Sequence, residues 1–354
     1  MYFSSRFGRS ALAVMGAALI AIACSDTSIT NPTLATAYVK TTLVADVASL
    51  GAATLDVNLV NPWGIAFGST GVLWVSNNHS GTSTLYDTIG VKKSLVVTIP
   101  SSTSATGGAP TGIILNSTTA FVIPGSSKAL FIFAGEDGTI SAWSTGTSAH
   151  IVADRSSSNA VYKGIAMATT GGANFLYATN FKKNEVDVFD QTFQFVKSFT
   201  DPSVPAGYAP FGIQNIGGQL YVTFAKQKAP DNQDDSPGVG NGYVDIFNAD
   251  GTLSKRFASN GKLNSPWGVA IAPSSGFGSA SGDILIGNFG DGLIGAYDPA
   301  TGKFLGTLRD ASNTSIQIDG IWGLTFGPSA TPTLYFSAGP GGEAHGLIGM
   351  LKPM

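Results

Sequence analysis

The stretch NPWGIAF, residues 61–67, sets a turn former, a proline, the largest side chain and a glycine ahead of an apolar run. The same order returns as PTGIIL at 110–115, YKGIAM at 162–167, PFGIQN at 210–215, PWGVAI at 266–271 and IWGLTF at 321–326. Counted on Gly64, Gly112, Gly164, Gly212, Gly268 and Gly323, the steps are 48, 52, 48, 56 and 55 residues, the spacing of a repeat architecture.

Each copy continues alike. A second apolar run follows the glycine strand (LWVSN, ALFIFA, FLYATN, QLYVTF, DILIGN, TLYFSA), and a third closes on Tyr86, Trp143, Phe189, Phe247, Tyr297 or Leu351. Turn sequences such as FNADG at 247–251 and YDPATG at 297–302 lead into a fourth run. Four short antiparallel strands per repeat and six repeats predict an all-β chain folded as a six-bladed β-propeller with four-stranded antiparallel blades. The sixth copy ends after its third strand, while AYVKTTLVAD at 37–46 resembles the outer strand of the third copy, QFVKSFTD. The N-terminal strand is therefore expected to complete blade six and close the ring, leaving no blade without its outer strand.

This architecture gives the glycine a reason. The first strand of each blade lies nearest the axis, where six strands crowd, and a residue without a side chain lets backbones approach. By strand alternation the neighbouring Trp63, Trp267 and Trp322 are expected to wedge between blades, with an aromatic ligand platform as the other reading.

Composition sets the outer limits. A 43% hydrophobic content allows a large core, and 45 glycines with only 12% charged residues fit many tight turns. A formal charge of −3 without a basic block gives no nucleic-acid footprint. Arg6 and Arg9 precede an uncharged run from Ala11 to Ala23, which reads as a signal peptide over residues 1–23. Ala21-Ile22-Ala23-Cys24 resembles a lipobox, and Cys24 is the chain's single cysteine, so it is expected to carry a lipid and not a disulfide. Residues 24–36 then form a polar tether, and 37–354 the propeller. The expected location is the cell envelope, at the outer membrane or cell surface, with plain secretion as the alternative and membrane contact only through the anchor.

Loops that lead into the first strands, and loops that join second to third strands, emerge on one face around the channel mouth. That face gathers Asn77, Asn180 and Asn288 at the ends of second strands, with Asn78, His79, Glu136, Asp137, Asp291, Glu343 and His345 beside them. Blades six and one adjoin, so His79 and His345 are expected near each other, where two histidines and carboxylates could ligate a metal or shuttle protons. The alternative is turn chemistry, since Asn, Asp and Gly are what tight hairpins require. Asp319 and Asn61, at the mouth, could help hold calcium, as could Asp231, Asp234 and Asp235 in the long loop AKQKAPDNQDDSPGVGNG, 225–242. The loop's spacing does not match an EF-hand, and a solvated acidic loop is its other reading.

NPWGIAF, EDGTISAW, GYAPFGIQNIGGQLYVTFAKQ, the DD-x-x-G-x-GNG-x-VD-x-F loop, GNFGDGLIGAYDPATG and AGPGGEAHGLIG together resemble a family of exported bacterial proteins of unknown function, often found with a PEP-CTERM sorting tail. The likeness spans the mature domain; Cys24 stands where that family relies on its C-terminal tail. More distantly the blades resemble NHL repeats, a group of interaction modules and metal-dependent lyases and lactonases. The residues favour a binding or scaffolding role at the envelope, toward a protein, glycan or small molecule. A calcium-dependent lactonase- or lyase-like enzyme is the alternative, with Asp319, Asn61 and Asn180 on the metal and His79 or His345 as base. A structural surface-layer role is a third.

Overall fold

Six antiparallel sheets stand around one axis, and the innermost strand of each packs on the innermost strand of the next. The computed structural model describes Met1, Tyr2 and residues 32–354; the expected signal peptide, Cys24 and the first part of the expected tether fall outside the described residues. Blade one runs Pro62–Phe67, Leu73–Asn77, Thr82–Tyr86 and Lys92–Thr98, and blades two to five repeat this order. The second strands LWVSN, FIFAG, ILIGN and LYFSA are buried throughout because each is covered by a neighbouring blade on either side. Outer strands such as Phe195–Phe199 face water and carry Lys and Ser.

The ring closes as its two ends predict. Tyr38–Ala45 pairs antiparallel with Leu347–Pro353, from Tyr38 opposite Pro353 to Ala45 opposite Leu347. A two-residue strand, Thr54–Leu55, adds a parallel edge beyond it. The last residues of the expected tether, 32–36, do not hang free. Leu34 is buried among Phe277, Leu308 and Leu334, and Thr36 and Ser279 exchange hydrogen bonds of 3.0 and 2.8 Å, so the chain docks on the ring from about residue 32. Apolar burial of a leucine outweighs the freedom a tether would keep. Among the described residues no helix is long and apolar enough to cross a membrane.

The repeat glycines stand where the crowding argument puts them. A Cβ on Gly64 would lie 2.6 Å from the carbonyl oxygen of Thr111, one on Gly112 2.6 Å from the amide of Ile165, and one on Gly323 2.7 Å from the carbonyl of Trp63. Backbone atoms of the next blade cannot yield as a side chain would, so only glycine lets the inner strands close at this radius.

Candidate functional site

The residue just before each repeat glycine does not follow strand alternation. In all six blades the pairing of first and second strands slips there, between Pro62 and Ile65 in blade one and at the equivalent places in the others. A bulge of this kind re-aims a side chain. Trp63, Phe211, Trp267 and Trp322 consequently meet each other on the axis and do not wedge between blades. Trp63 stacks on Trp322 at 3.6 Å between ring centroids, Trp267 meets both edge-on at 6.0 and 5.7 Å, and Phe289 stacks on Trp322 at 4.1 Å. Trp63 and Trp322 are 3% and 1% exposed, so the rings cover one another and seal the channel. Trp267 donates to the carbonyl of Lys163 at 2.8 Å and Trp322 to Asn61 Oδ1 at 3.1 Å, while the Trp63 indole N–H is buried without a partner.

Lys163 holds the same register in blade three, in the copy YKGIAM, and its side chain is 2% exposed. Sequence reading missed it; the signal was its place in the Trp column. Its ammonium lies 5.1 Å over the Trp63 ring, pairs with Glu136 Oε1 and stands 3.3 Å from Asp234 Oδ1. Burial draws the ammonium's pKa down, but Glu136 and Asp234 outweigh it and hold the group above the usual lysine value.

Above this plug is a cavity of about 380 Å³ lined by Trp63, His79, Glu136, Lys163, Asp234, Asp235, Pro237, Phe289, Trp322 and Glu343. Every blade contributes to it, mostly from loops joining second to third strands. Asn78 fixes the wall of blade two, donating to Glu136 Oε2 at 2.9 Å. Asp235 has a fully buried Oδ2 without a hydrogen-bond partner, and burial raises its carboxyl. Glu343 follows Gly341 and Gly342 in a run of three left-handed residues, with φ of 70°, 66° and 69°. A glutamate in that conformation costs about 1 kcal/mol that a glycine would not. Burial, and then the negative field of Glu136, push its carboxyl up to about 7; Asp235 and Asp234 add to this and Lys163 opposes it. His79 Nε2 lies 4.0 Å from Glu343 Oε2, with the Asn61 amide nitrogen 3.3 Å from the one and 3.4 Å from the other.

The other residues expected at this face are divided. Asn77 donates to Thr82 and Thr84 at 3.1 and 2.9 Å; Asn180 accepts from the Val161 amide and donates to Asp187; Asn288 joins the Asn264 amide to the Lys262 carbonyl. These three asparagines fasten turns. Asp137 accepts from Thr139 and from the Ser102 amide, and Asp291 accepts from the Leu293 amide beside a separate cavity of about 170 Å³. His345 pairs with Asp46 at 2.9 Å, an anion the sequence reading did not bring to it, and not with His79. Asp319 is exposed and accepts from the Gly341 amide, and Asp231 is exposed in the long loop. The calcium set of Asp319, Asn61 and Asn180 is thus not assembled. Among the described residues no three His, Cys, Asp or Glu side chains stand together as metal ligands would, and between Glu136 and Asp234 the cation is Lys163.

No family model matches the sequence. Its fold is similar to that of a streptogramin B lyase, with a TM-score of 0.54 at 14% identity over 90% of this chain and 97% of that one. A gluconolactonase from Xanthomonas campestris gives 0.53 at 13% identity, over 84% and 87%. Likeness at such identities concerns the fold alone. In sequence the chain is 33% identical over 315 residues to the uncharacterised protein R648 of Acanthamoeba polyphaga mimivirus, covering 85% of this chain and 76% of R648. To protein L690 of the same virus it is 34% identical over 317 residues, covering 85% and 82%. These relatives are viral and lend no support to the bacterial sorting-tail association expected from the motifs. The chain belongs to the β-propeller family that includes mimivirus R648 and L690.

Proposed function

We propose that the protein is a ligand-binding propeller whose site is the plugged mouth of the channel, presented at a cell envelope through a lipid on Cys24. The observation that carries the reading is the cavity itself. It is of ligand size, it is closed below by interlocked aromatic rings, and all six blades turn side chains into it. Ring closure makes such a mouth rigid, which lowers the ordering cost of binding. The test is the melting temperature of the full chain against a panel of neutral sugars, amines, lactones and divalent salts. At least one class is expected to raise it, with the effect reduced in Glu343→Gln and Asp234→Asn. A flat response across the panel would overturn the reading. Anchoring is tested separately, by detergent-phase partition of the wild type and Cys24→Ala expressed in a bacterium that matures lipoproteins.

A second reading, an enzyme of the lactonase or lyase type, is favoured by one feature. Glu343, poised near neutrality and 4.0 Å from His79, could take and return a proton at a bound substrate. The residues present do not fit a calcium ion, so this chemistry rests on the pair alone. Turnover of a lactone panel that disappears in Glu343→Gln and in His79→Ala would support it; turnover that survives both would remove it.

A further inference from the structure

The open valences of the mouth are those of a cation site. Four carboxyl groups line it, Glu136, Asp234, Asp235 and Glu343, against one buried ammonium. Glu136 is already matched, by Lys163 on one oxygen and by Asn78 on the other. Asp235 keeps a buried oxygen without a well-formed hydrogen bond, with the Ser265 hydroxyl as its neighbouring donor, and Glu343 has only long contacts, 3.4 Å from Asn61 and 4.0 Å from His79. Asp234 meets Lys163 through Oδ1 alone and lines the cavity with its side chain 73% exposed.

Lys163 shows which cation this environment accepts. Its ammonium sits over an indole face and between two carboxylates, an arrangement that suits a softly hydrated organic cation as well as it suits a lysine. A divalent ion asks for three or more convergent oxygens, which the carboxylates here do not offer.

We propose that the ligand of this mouth is an organic ammonium ion, a small amine or the amino group of a larger molecule, held by Asp235 and Glu343 beside the Lys163–Glu136–Asp234 triad. The proposal rests on the reading of the mouth as a binding site and names its ligand class. An uncharged polyol lacks the charge that would relieve the mutual repulsion of these carboxyls. An anion is excluded by the same field. Occupancy by an ammonium would draw Glu343 toward its ionised form, so binding near neutrality releases a proton. The groups that face Glu343 and set this coupling are His79 from blade one, Glu136 from blade two, Lys163 from blade three, and Asp234 and Asp235 from the long loop of blade four.

The experiment is calorimetric titration of the full chain with putrescine, using 1,4-butanediol as its uncharged match, and glucose and calcium chloride as controls. Putrescine is expected to bind and butanediol not to. The affinity should fall several-fold from pH 8 to pH 6 as Glu343 takes up its proton, and roughly tenfold at pH 8 in Glu343→Gln. Asp234→Asn, altered at an exposed position, should weaken binding less while folding normally. Heats measured in two buffers of different ionisation enthalpy should show proton release at pH 7. Equal binding of butanediol or binding of glucose alone would overturn the ammonium proposal and leave the mouth a binding site. Calcium bound in place of putrescine would overturn it in favour of a metal. No binding by any probe would overturn it too, and the wider ligand panel then decides whether the mouth binds at all.

Discussion

Two triads in this molecule have the same composition, a cation between two carboxylates, and opposite construction. In blade four Arg256 joins Asp201 at 2.6 Å and also Asp245; both acids are buried, at 2% and 0% side-chain exposure, and the guanidinium reaches the surface at 27%. At the channel mouth Lys163 is buried at 2%, and its partners Glu136 and Asp234 are 27% and 73% exposed. The outer triad hides its anions under a cation that is pinned by strand pairing, since Asp245 lies opposite Arg256 in register. The inner one hides its cation and turns anions toward a cavity. Where the exposed member is the cation, the cluster staples strands; where the exposed members are acids on loops, the same chemistry makes a surface that a ligand can complete.

Breaking the outer triad is expected to have the largest effect. Arg256→Ala leaves Asp201 and Asp245 buried without a countercharge and should destabilise the fold by about 3–5 kcal/mol at pH 8. Urea unfolding gives the value. A loss below about 1 kcal/mol would mean that water reaches these acids and that the contrast between the triads is false.

The pH dependence sharpens the point. Burial, only partly offset by Arg256, raises the Asp245 carboxyl to about 7, while hydrogen bonds from Ser203 and Arg256 hold Asp201 below the usual range despite its burial. A carboxyl raised by folding contributes stability that is complete below its unfolded pKa and is lost as the pH climbs to its folded one. Asp245 should therefore cost the native state increasingly between about pH 4 and pH 7. Asp245→Asn, isosteric and neutral, should match the wild type near pH 4 and exceed it by on the order of 1–2 kcal/mol at pH 8. Parallel curves for the two proteins across that range would mean that Asp245 takes up no proton there.

The same contrast explains what the sequence could and could not tell. The ring was legible because one local constraint, the close backbone approach at Gly64 and its five equivalents, recurs at a near-constant interval and leaves the same mark each time. The direction of Trp63, Trp267 and Trp322 was not, because alternation assumes an unbroken ladder and the bulge breaks it beside each glycine. Lys163 stood in that column but reads as an exception until the column is known to face the axis. Its partner Asp234 lies 71 residues away on another blade, a distance at which spacing carries no information. Glu136, Glu343 and His79 could be placed on one face by topology, and the cavity holds them together. His345 could be placed there equally well, yet Asp46, nearly three hundred residues earlier, decides its side chain.

A smaller effect is expected at the mouth. Lys163→Met keeps a long unbranched side chain beside Trp63 and leaves two acids that can already meet water, so it should cost about 1 kcal/mol or less. What should change is the long loop of blade four, which loses the Lys163–Asp234 contact. Hydrogen exchange of residues 227–241 is expected to quicken while the inner strands stay protected. A loss as large as that of Arg256→Ala would show the mouth triad to be a staple as well, and would take away the reason for treating it as a site.

The smallest effect is expected at Asp319, and it separates the geometry from the calcium expectation of the sequence. The side chain is exposed and accepts the Gly341 amide at 2.9 Å, two residues before Glu343. Asp319→Ala should therefore loosen one loop at a cost of about 0.5–1 kcal/mol, the worth of a single hydrogen bond. Ligand affinity should move no more than about twofold, because Gly339 still receives the Glu343 amide at 3.0 Å and Gly320 the Gly339 amide at 2.9 Å, so the loop keeps its frame. Melting of the wild type and of Asp319→Ala, each with and without a chelator, decides it. If the chelator lowers the wild-type melting temperature and Asp319→Ala removes that sensitivity, an ion held through Asp319 orders the loop, and the cation at the mouth is not Lys163 alone.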